Sequence, residues 1–145
     1  MTFIPVQRLI IVSRSQNHQE LQLRMQTLTV EVTHPLLNPD SAILRLKGGL
    51  NPNLLQPFDH AVQSALAGSK KNLVIDLSET DEVSSGGWGF LLVVLGRVRI
   101  LGGTMLLAAM KPDIHEAFEL MEYHQDFILY PTVEDALKAG MTQVS

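Results

Sequence analysis

The sequence predicts an α/β fold, a single domain in which an opening hairpin leads into a mixed, mostly parallel sheet of about five strands with about four helices. Three observations predict it. Two alternating segments, 27–33 and 42–47, flank a turn-rich stretch; two runs, 73–77 and 105–109, are almost uniformly apolar; and segments with helical spacing separate the strands.

The elements follow in order. Leu28, Val30 and Val32 alternate with Thr29, Glu31 and Thr33, the period of a strand with one wet face, and His34-Pro35 ends it. The alternation repeats over 42–47 after Asn38-Pro39-Asp40, so the two form an antiparallel pair, and Gly48-Gly49 is expected to break the second strand. Residues 54–67 place Leu55, Phe58, Val62 and Leu66 on one helical face, with Pro57 in the first turn and Gly68 as the stop. Residues 72–77 suit a central strand covered on both faces. Residues 84–89 then read as a strand-to-helix turn, and 90–101 as the most buried helix, closed by Gly102-Gly103. A buried strand at 105–109, a helix over 112–121 with Ile114, Phe118 and Met121 inward, a short strand at 127–130 and a final helix at 132–139 complete the domain. Thr132 and Asp135 approximate a capping box at the last helix's start.

At 145 residues the chain holds one ordinary domain, expected over 26–145, preceded by an extension at 1–25 that is either loose or an added strand built on Leu9 to Val12. A hydrophobic share of 46% against 18% charged marks a globular protein, and the longest charge-free apolar run, 90–96, is far below a membrane span. The apolar patch near the N-terminus is short, closed by Arg14, and lacks a basic leader and a small-residue cleavage site, so a cytoplasmic location is expected. With no cysteine, disulfides, thiol nucleophiles and cysteine metal sites are excluded. Of the net charge of −4, residues 1–25 hold +2, from Arg8, Arg14 and Arg24 against Glu20, leaving −6 on the rest. An acidic body argues against nucleic acid as a partner, since that affinity rests on neutralising phosphates with Lys and Arg.

The turn Ser84-Ser85-Gly86-Gly87-Trp88-Gly89 is the strongest clue to function. A hydroxyl in the first turn of a helix lies beside N–H groups without intrahelical partners and at the positive end of the helix dipole, where a bound or covalent phosphate is stabilised. The plainer role is a cap, typically worth about 0.5–2 kcal/mol.

The ordered blocks resemble STAS domains, in particular the bacterial anti-sigma factor antagonists, over about 27–140. That family's Gly-Glu-Leu-Asp is matched by Gly48-Gly49-Leu50-Asn51, and its Asp-Ser-Ser-Gly-Leu-Gly falls without gaps on Ser84 to Gly89. The Gly102-Gly103 before a strand, the proline-led helix at 112–118 and the closing strand and helix at 127–137 are also similar. The resemblance implies a regulatory protein, not an enzyme, that needs no cofactor or metal. It binds an anti-sigma factor that is itself a serine kinase, is switched off by phosphorylation and is reset by a serine phosphatase. It implies Ser85 as the acceptor, with Ser84 the alternate if the register shifts by one, and Asn51, Ser84, Ser85, Gly86, Gly87 and Trp88 as partner-binding residues. The ungapped register keeps a glycine at Gly89, whereas the shift sets Trp88 where a glycine is expected. Ser84, Gly49, Asn51 and Gly86 depart from the family pattern. Oligomeric state stays open, with a homodimer among the options.

Other readings are a STAS scaffold or transporter-associated module without a phosphate switch, and a small-anion binder at the helix N-terminus. The glycines match neither the phosphate loop, lacking its lysine, nor the full dinucleotide fingerprint. Hydrolysis would need a base near Ser84 or Ser85, and His18, His34, His60, His115 and His124 show no pairing by spacing. Asp81-Glu82 reads as a solvated loop pair, a cation site or a phosphorylation determinant. Trp88 reads as a core residue or as an exposed partner anchor.

Overall fold

The computed structural model describes residues 26–121 and 124–144. The extension at 1–25 lies outside the described residues. Six strands form one sheet: β1 (Leu28–Thr33), β2 (Ser41–Leu50), β3 (Asn72–Asp76), β4 (Thr80–Val83), β5 (Thr104–Ala108) and β6 (Ile128–Tyr130). Four α-helices, α1 (Gln56–Ala67), α2 (Ser85–Ile100), α3 (Pro112–Glu119) and α4 (Val133–Val144), join or follow the strands, with short 3₁₀ turns at Pro52–Leu54 and His124–Asp126. The spatial order is β1-β2-β3-β5-β6; β1 and β2 are antiparallel, every other pair is parallel, and β4 pairs with the end of β2.

Alternation decides what each face of the sheet buries. Ala42, Leu44 and Leu46 of β2, Leu73 and Ile75 of β3, and Met105 and Leu107 of β5 face α1, α2 and α3. Val74 of β3 and Leu106 and Ala108 of β5 face the other way and are covered by α4 through Ala136. The three parallel crossovers step across the sheet in one direction, so right-handed connections set their helices on the same face. α4, with no further strand to reach, folds onto the opposite face. β3 is accordingly central and buried from Leu73 to Asp76.

Burying the Asp76 carboxylate, 2% exposed, demands partners. Arg45 stands beside it in register, with Glu31 on the far side of Arg45. Arg45 donates from Nε to Asp76 Oδ2 at 2.8 Å, and the Ser78 N–H donates to Oδ1 at 2.9 Å. The Arg45–Asp76 hydrogen bond, joined by the charge of Asp76, holds the Arg45 guanidinium above its ordinary pKa. The pair therefore fixes the end of β3 and the turn into β4.

Three expectations change. β2 does not end at Gly48-Gly49 but continues to Leu50, because the glycines form a bulge there; Gly48 has φ 117, which a side chain rarely adopts. The bulged end acquires β4 as a sixth strand, a segment hidden in sequence by Asp81-Glu82. Thr80, fully buried, donates from Oγ1 to the Leu46 carbonyl at 2.7 Å and so satisfies a group beside the bulge. Finally, α2 (Ser85–Ile100), expected to leave little of its surface unburied, buries Trp88, Leu91, Val94, Leu95 and Val98 but leaves Val93 and Ile100 exposed.

Trp88 anchors this layer. It is fully buried, with ring centroids 5.1 Å from Phe118 of α3 and 6.3 Å from Phe127, so three elements meet on one indole. Replacing Trp88 by Ala should cost about 3–5 kcal/mol, read as a lower midpoint in chemical denaturation followed by circular dichroism. An unchanged midpoint would show that the aromatic cluster carries none of the packing.

Candidate functional site

The site forms where β2 ends and α2 begins. Leu50, at the last position of β2, presents its carbonyl to the Ser84 N–H at 3.0 Å and to the Ser84 hydroxyl at 3.4 Å. Ser84 has extended backbone, φ −78 and ψ 170, and its Oγ accepts from the Gly87 N–H at 3.1 Å. It is thus the N-cap of α2, and its hydroxyl is engaged on both sides. Ser85, the first helical residue, is exposed. One serine serves the fold, and the next presents its hydroxyl to solvent at the positive end of a 16-residue helix.

Two glycines allow the approach. A Cβ on Gly87 would lie 2.3 Å from the Leu50 carbonyl oxygen, and one on Gly86 would lie 2.5 Å from Cγ of Pro52. Gly89, by contrast, has nothing within 4 Å of an added Cβ. The close approach thus belongs to Gly86 and Gly87, not to Gly89. It also favours the ungapped alignment: the shifted one would set the family's leucine on Gly87, whereas the ungapped one sets it on Trp88, which fills the core.

Asn51 follows Leu50 directly and is half-buried. Its Oδ1 accepts from the Asn53 N–H at 3.0 Å, capping the 3₁₀ turn that begins at Pro52. Of the residues expected to meet a partner, the structure gathers Asn51, Ser84, Ser85 and Gly86 at one end of the sheet and leaves Ser85 and Gly86 exposed. Gly87 and Trp88, expected with them, are buried, Gly87 beneath the Leu50 carbonyl and Trp88 in the aromatic cluster. Sequence reasoning missed Pro52 and the Leu50 carbonyl. The Pro following Gly48-Gly49-Leu50-Asn51 was the available signal, but nothing in the sequence pairs it with Gly86.

Two of the remaining polar candidates, Asp81 and His115, have structural partners. Asp81 is not a solvated loop acid: its side chain is 2% exposed and Lys111 at the start of α3 donates to Oδ1 at 2.7 Å. His115 lies 3.8 Å from Glu119 one turn along α3, and both are largely exposed. Among the described residues no group of three His, Asp or Glu is placed to hold a metal ion, and no helix is long and apolar enough to cross a membrane.

Opposite outcomes are expected for two Gly→Ala changes in the first turns of α2. Gly87→Ala, blocked by the Leu50 carbonyl, should destabilise by about 1–3 kcal/mol, whereas Gly89→Ala, with open space and better helix propensity, should gain up to about 1 kcal/mol. Equal denaturation midpoints for the two variants would refute the close-approach geometry.

Comparison with known proteins identifies the family and the fold. The family model for the STAS domain matches residues 29–136. The chain is similar to BtrV of Bordetella bronchiseptica, provisionally named an anti-sigma factor antagonist, with 26% identity over 97 residues that cover 67% of this chain and 84% of the relative. Among solved structures, an anti-sigma factor antagonist from Mycobacterium paratuberculosis has 24% identity and a TM-score of 0.64, covering 79% of this chain and 94% of its own. The phosphorylated form of the Bacillus cell-fate determinant SpoIIAA has 15% identity and a TM-score of 0.57, covering 77% and 98%. A segment of the murine anion transporter Slc26a9 has 12% identity and a TM-score of 0.66, covering 92% of this chain and 25% of the transporter. At these identities the solved structures establish the fold.

Proposed function

The chain belongs to the STAS domain family, and from that premise we propose that it is an anti-sigma factor antagonist that binds an anti-sigma factor with serine kinase activity and is switched off by phosphorylation of Ser85. The observation that carries the reading is the division of labour in the turn. Ser84 is committed to Leu50 and Gly87, while Ser85 is exposed one residue on, at a helix N-terminus suited to a phosphate. The names of BtrV and of the Mycobacterium paratuberculosis protein support the general role.

The proposed mechanism is electrostatic. The kinase supplies nucleotide, metal and catalytic base, and this chain supplies a hydroxyl on a rigid turn. Phosphate adds about −1.5 to −2 charge at the surface where unmodified antagonist meets its partner, and binding is lost. A serine phosphatase restores it. Ser84 and Asn51, where the family carries aspartates, both act as caps here, so the two departures keep the local architecture that acidic residues at those positions can also provide. We also take residues 26–145 as the functional unit, a boundary supported by a family match that starts at residue 29.

Incubation with the cognate kinase and ATP, followed by mass spectrometry, should place one phosphate on Ser85. Modification of neither Ser85 nor Ser84 would sink the switch and leave a scaffold role. In binding assays with the same kinase, Ser85→Asp should weaken the complex tenfold or more, about 1.4 kcal/mol, while Ser85→Ala should bind like the wild type. Equal affinities for the two variants would count against a charge-based switch. Ser84→Ala should lose about 0.5–2 kcal/mol of stability and still be phosphorylated at Ser85.

A further inference from the structure

The segment 1–25 joins the domain at the same end of the sheet as the Ser85 turn. β1 runs antiparallel to β2, so its first residue, Leu28, lies opposite Gly48, and the Thr27 carbonyl accepts from the Gly49 N–H at 2.9 Å. On the other side of β2, Gly48 pairs with Thr80 and Leu50 with Val83, one residue before Ser84. Two strand spacings, about 10 Å, therefore separate the point of entry from the turn. The three residues from Thr27 back to Arg24 span up to about 10 Å by themselves, and the whole segment reaches any part of this end.

That end of the sheet is rich in acids. Glu79, Asp81 and Glu82 lie between β3 and α2, with Glu82 exposed; Asp113 opens α3 behind Lys111; and the first turns of α1 and α4 add Asp59, Glu134 and Asp135. The cations near it are already engaged. Lys111 donates to Asp81, Lys47 to Glu31, Arg45 to Asp76 and Arg97 to Asp59, and Lys138 of α4 has a partner as well. The other described cations, Lys70, Lys71 and Arg99, stand at the opposite end, before β3 and at the close of α2. A phosphate on Ser85 would add about −1.5 to −2 charge here, against about half a positive charge from the α2 N-terminus. Residues 1–25, with Arg8, Arg14 and Arg24 against Glu20, hold the cations that the turn lacks.

We infer that the chain's own N-terminal segment closes over the turn once Ser85 is phosphorylated, its arginines pairing with the phosphate; the inference rests on the reading of Ser85 as the acceptor. Guanidinium groups bind phosphate bidentately, and a short tether holds them at an effective concentration in the millimolar range. Before modification the same arginines meet exposed carboxylates alone, contacts typically worth about 0–1 kcal/mol, so the Ser85 hydroxyl stays accessible. Phosphorylation then acts twice. It adds charge to the docking surface, and it draws the segment across that surface.

Full chains made with phosphoserine installed at position 85 test this without the kinase. The readout is the second ionisation of the phosphate, followed by phosphorus NMR over a pH series. Cations beside the phosphate favour its dianion, so the midpoint should lie at least about half a pH unit lower in the wild-type background than in the triple variant Arg8→Gln, Arg14→Gln and Arg24→Gln. Emission from Trp88, the single tryptophan and fully buried, reports an intact core in both chains. Equal midpoints overturn the inference. A difference that grows with protein concentration assigns the arginines to a second copy and overturns it too. If the kinase instead leaves Ser85 unmodified, the proposed switch fails whatever the midpoints, so the two failures are told apart.

Discussion

The carbonyl of Leu50 is the contact on which the site depends. A buried carbonyl at a strand end needs donors, and this one takes two from Ser84, its N–H and its hydroxyl. Meeting them draws the first turn of α2 against the end of β2, so closely that residue 87 has no room for a side chain and residue 86 none beside Pro52. The position of Ser85 is then set by its neighbours on both sides. It is the one hydroxyl of the turn that the fold leaves unused.

β2 can reach that point only because the sheet tolerates a bulge at Gly48-Gly49 and compensates for it. The Gly48 N–H donates to Glu79 O, the Gly49 N–H to Thr27 O, and Thr80 covers the Leu46 carbonyl. The turn that delivers Glu79 and Thr80 is in turn fixed by Asp76, which a short bond to Arg45 and the Ser78 N–H hold in place although the carboxylate is almost fully buried. Removing Arg45 would strand a buried carboxylate, which is far more costly than the pair is stabilising. The polar row on β2 and β3 and the Ser84–Gly89 turn at α2 are therefore parts of one chain of dependence, each setting the backbone geometry of the next.

Local pattern made most of this legible. Alternation found β1, β2 and their antiparallel pairing; continuous apolar runs found β3 and β5; and proline and glycine placed the limits of α1 within two residues. The Ser84–Gly89 turn was legible as a strand-to-helix junction because serines and glycines precede an apolar helix. What sequence did not reveal has a common cause: it depends on contacts between distant segments. β4 forms because a bulged β2 offers it an edge, although Asp81-Glu82 looks like loop, and Asp81 is buried because Lys111 reaches it from α3. Trp88 gave no sign of whether it faced a partner or the core, since that turns on Phe118 and Phe127, thirty or more residues away. The Gly86–Pro52 approach is of the same kind.

Ser84 in place of an acidic residue also changes what the turn offers to a phosphate. An aspartate cap brings a full negative charge to the helix N-terminus and offsets the partial positive charge there. A serine cap satisfies the same Gly87 N–H with a neutral oxygen and leaves that potential unspent. A phosphate on the adjacent Ser85 would then meet the first-turn N–H groups without a carboxylate beside it, a more favourable setting than an acidic cap allows. The substitution that departs most visibly from the family pattern thus retains the cap and makes the neighbouring position better suited to a phosphate.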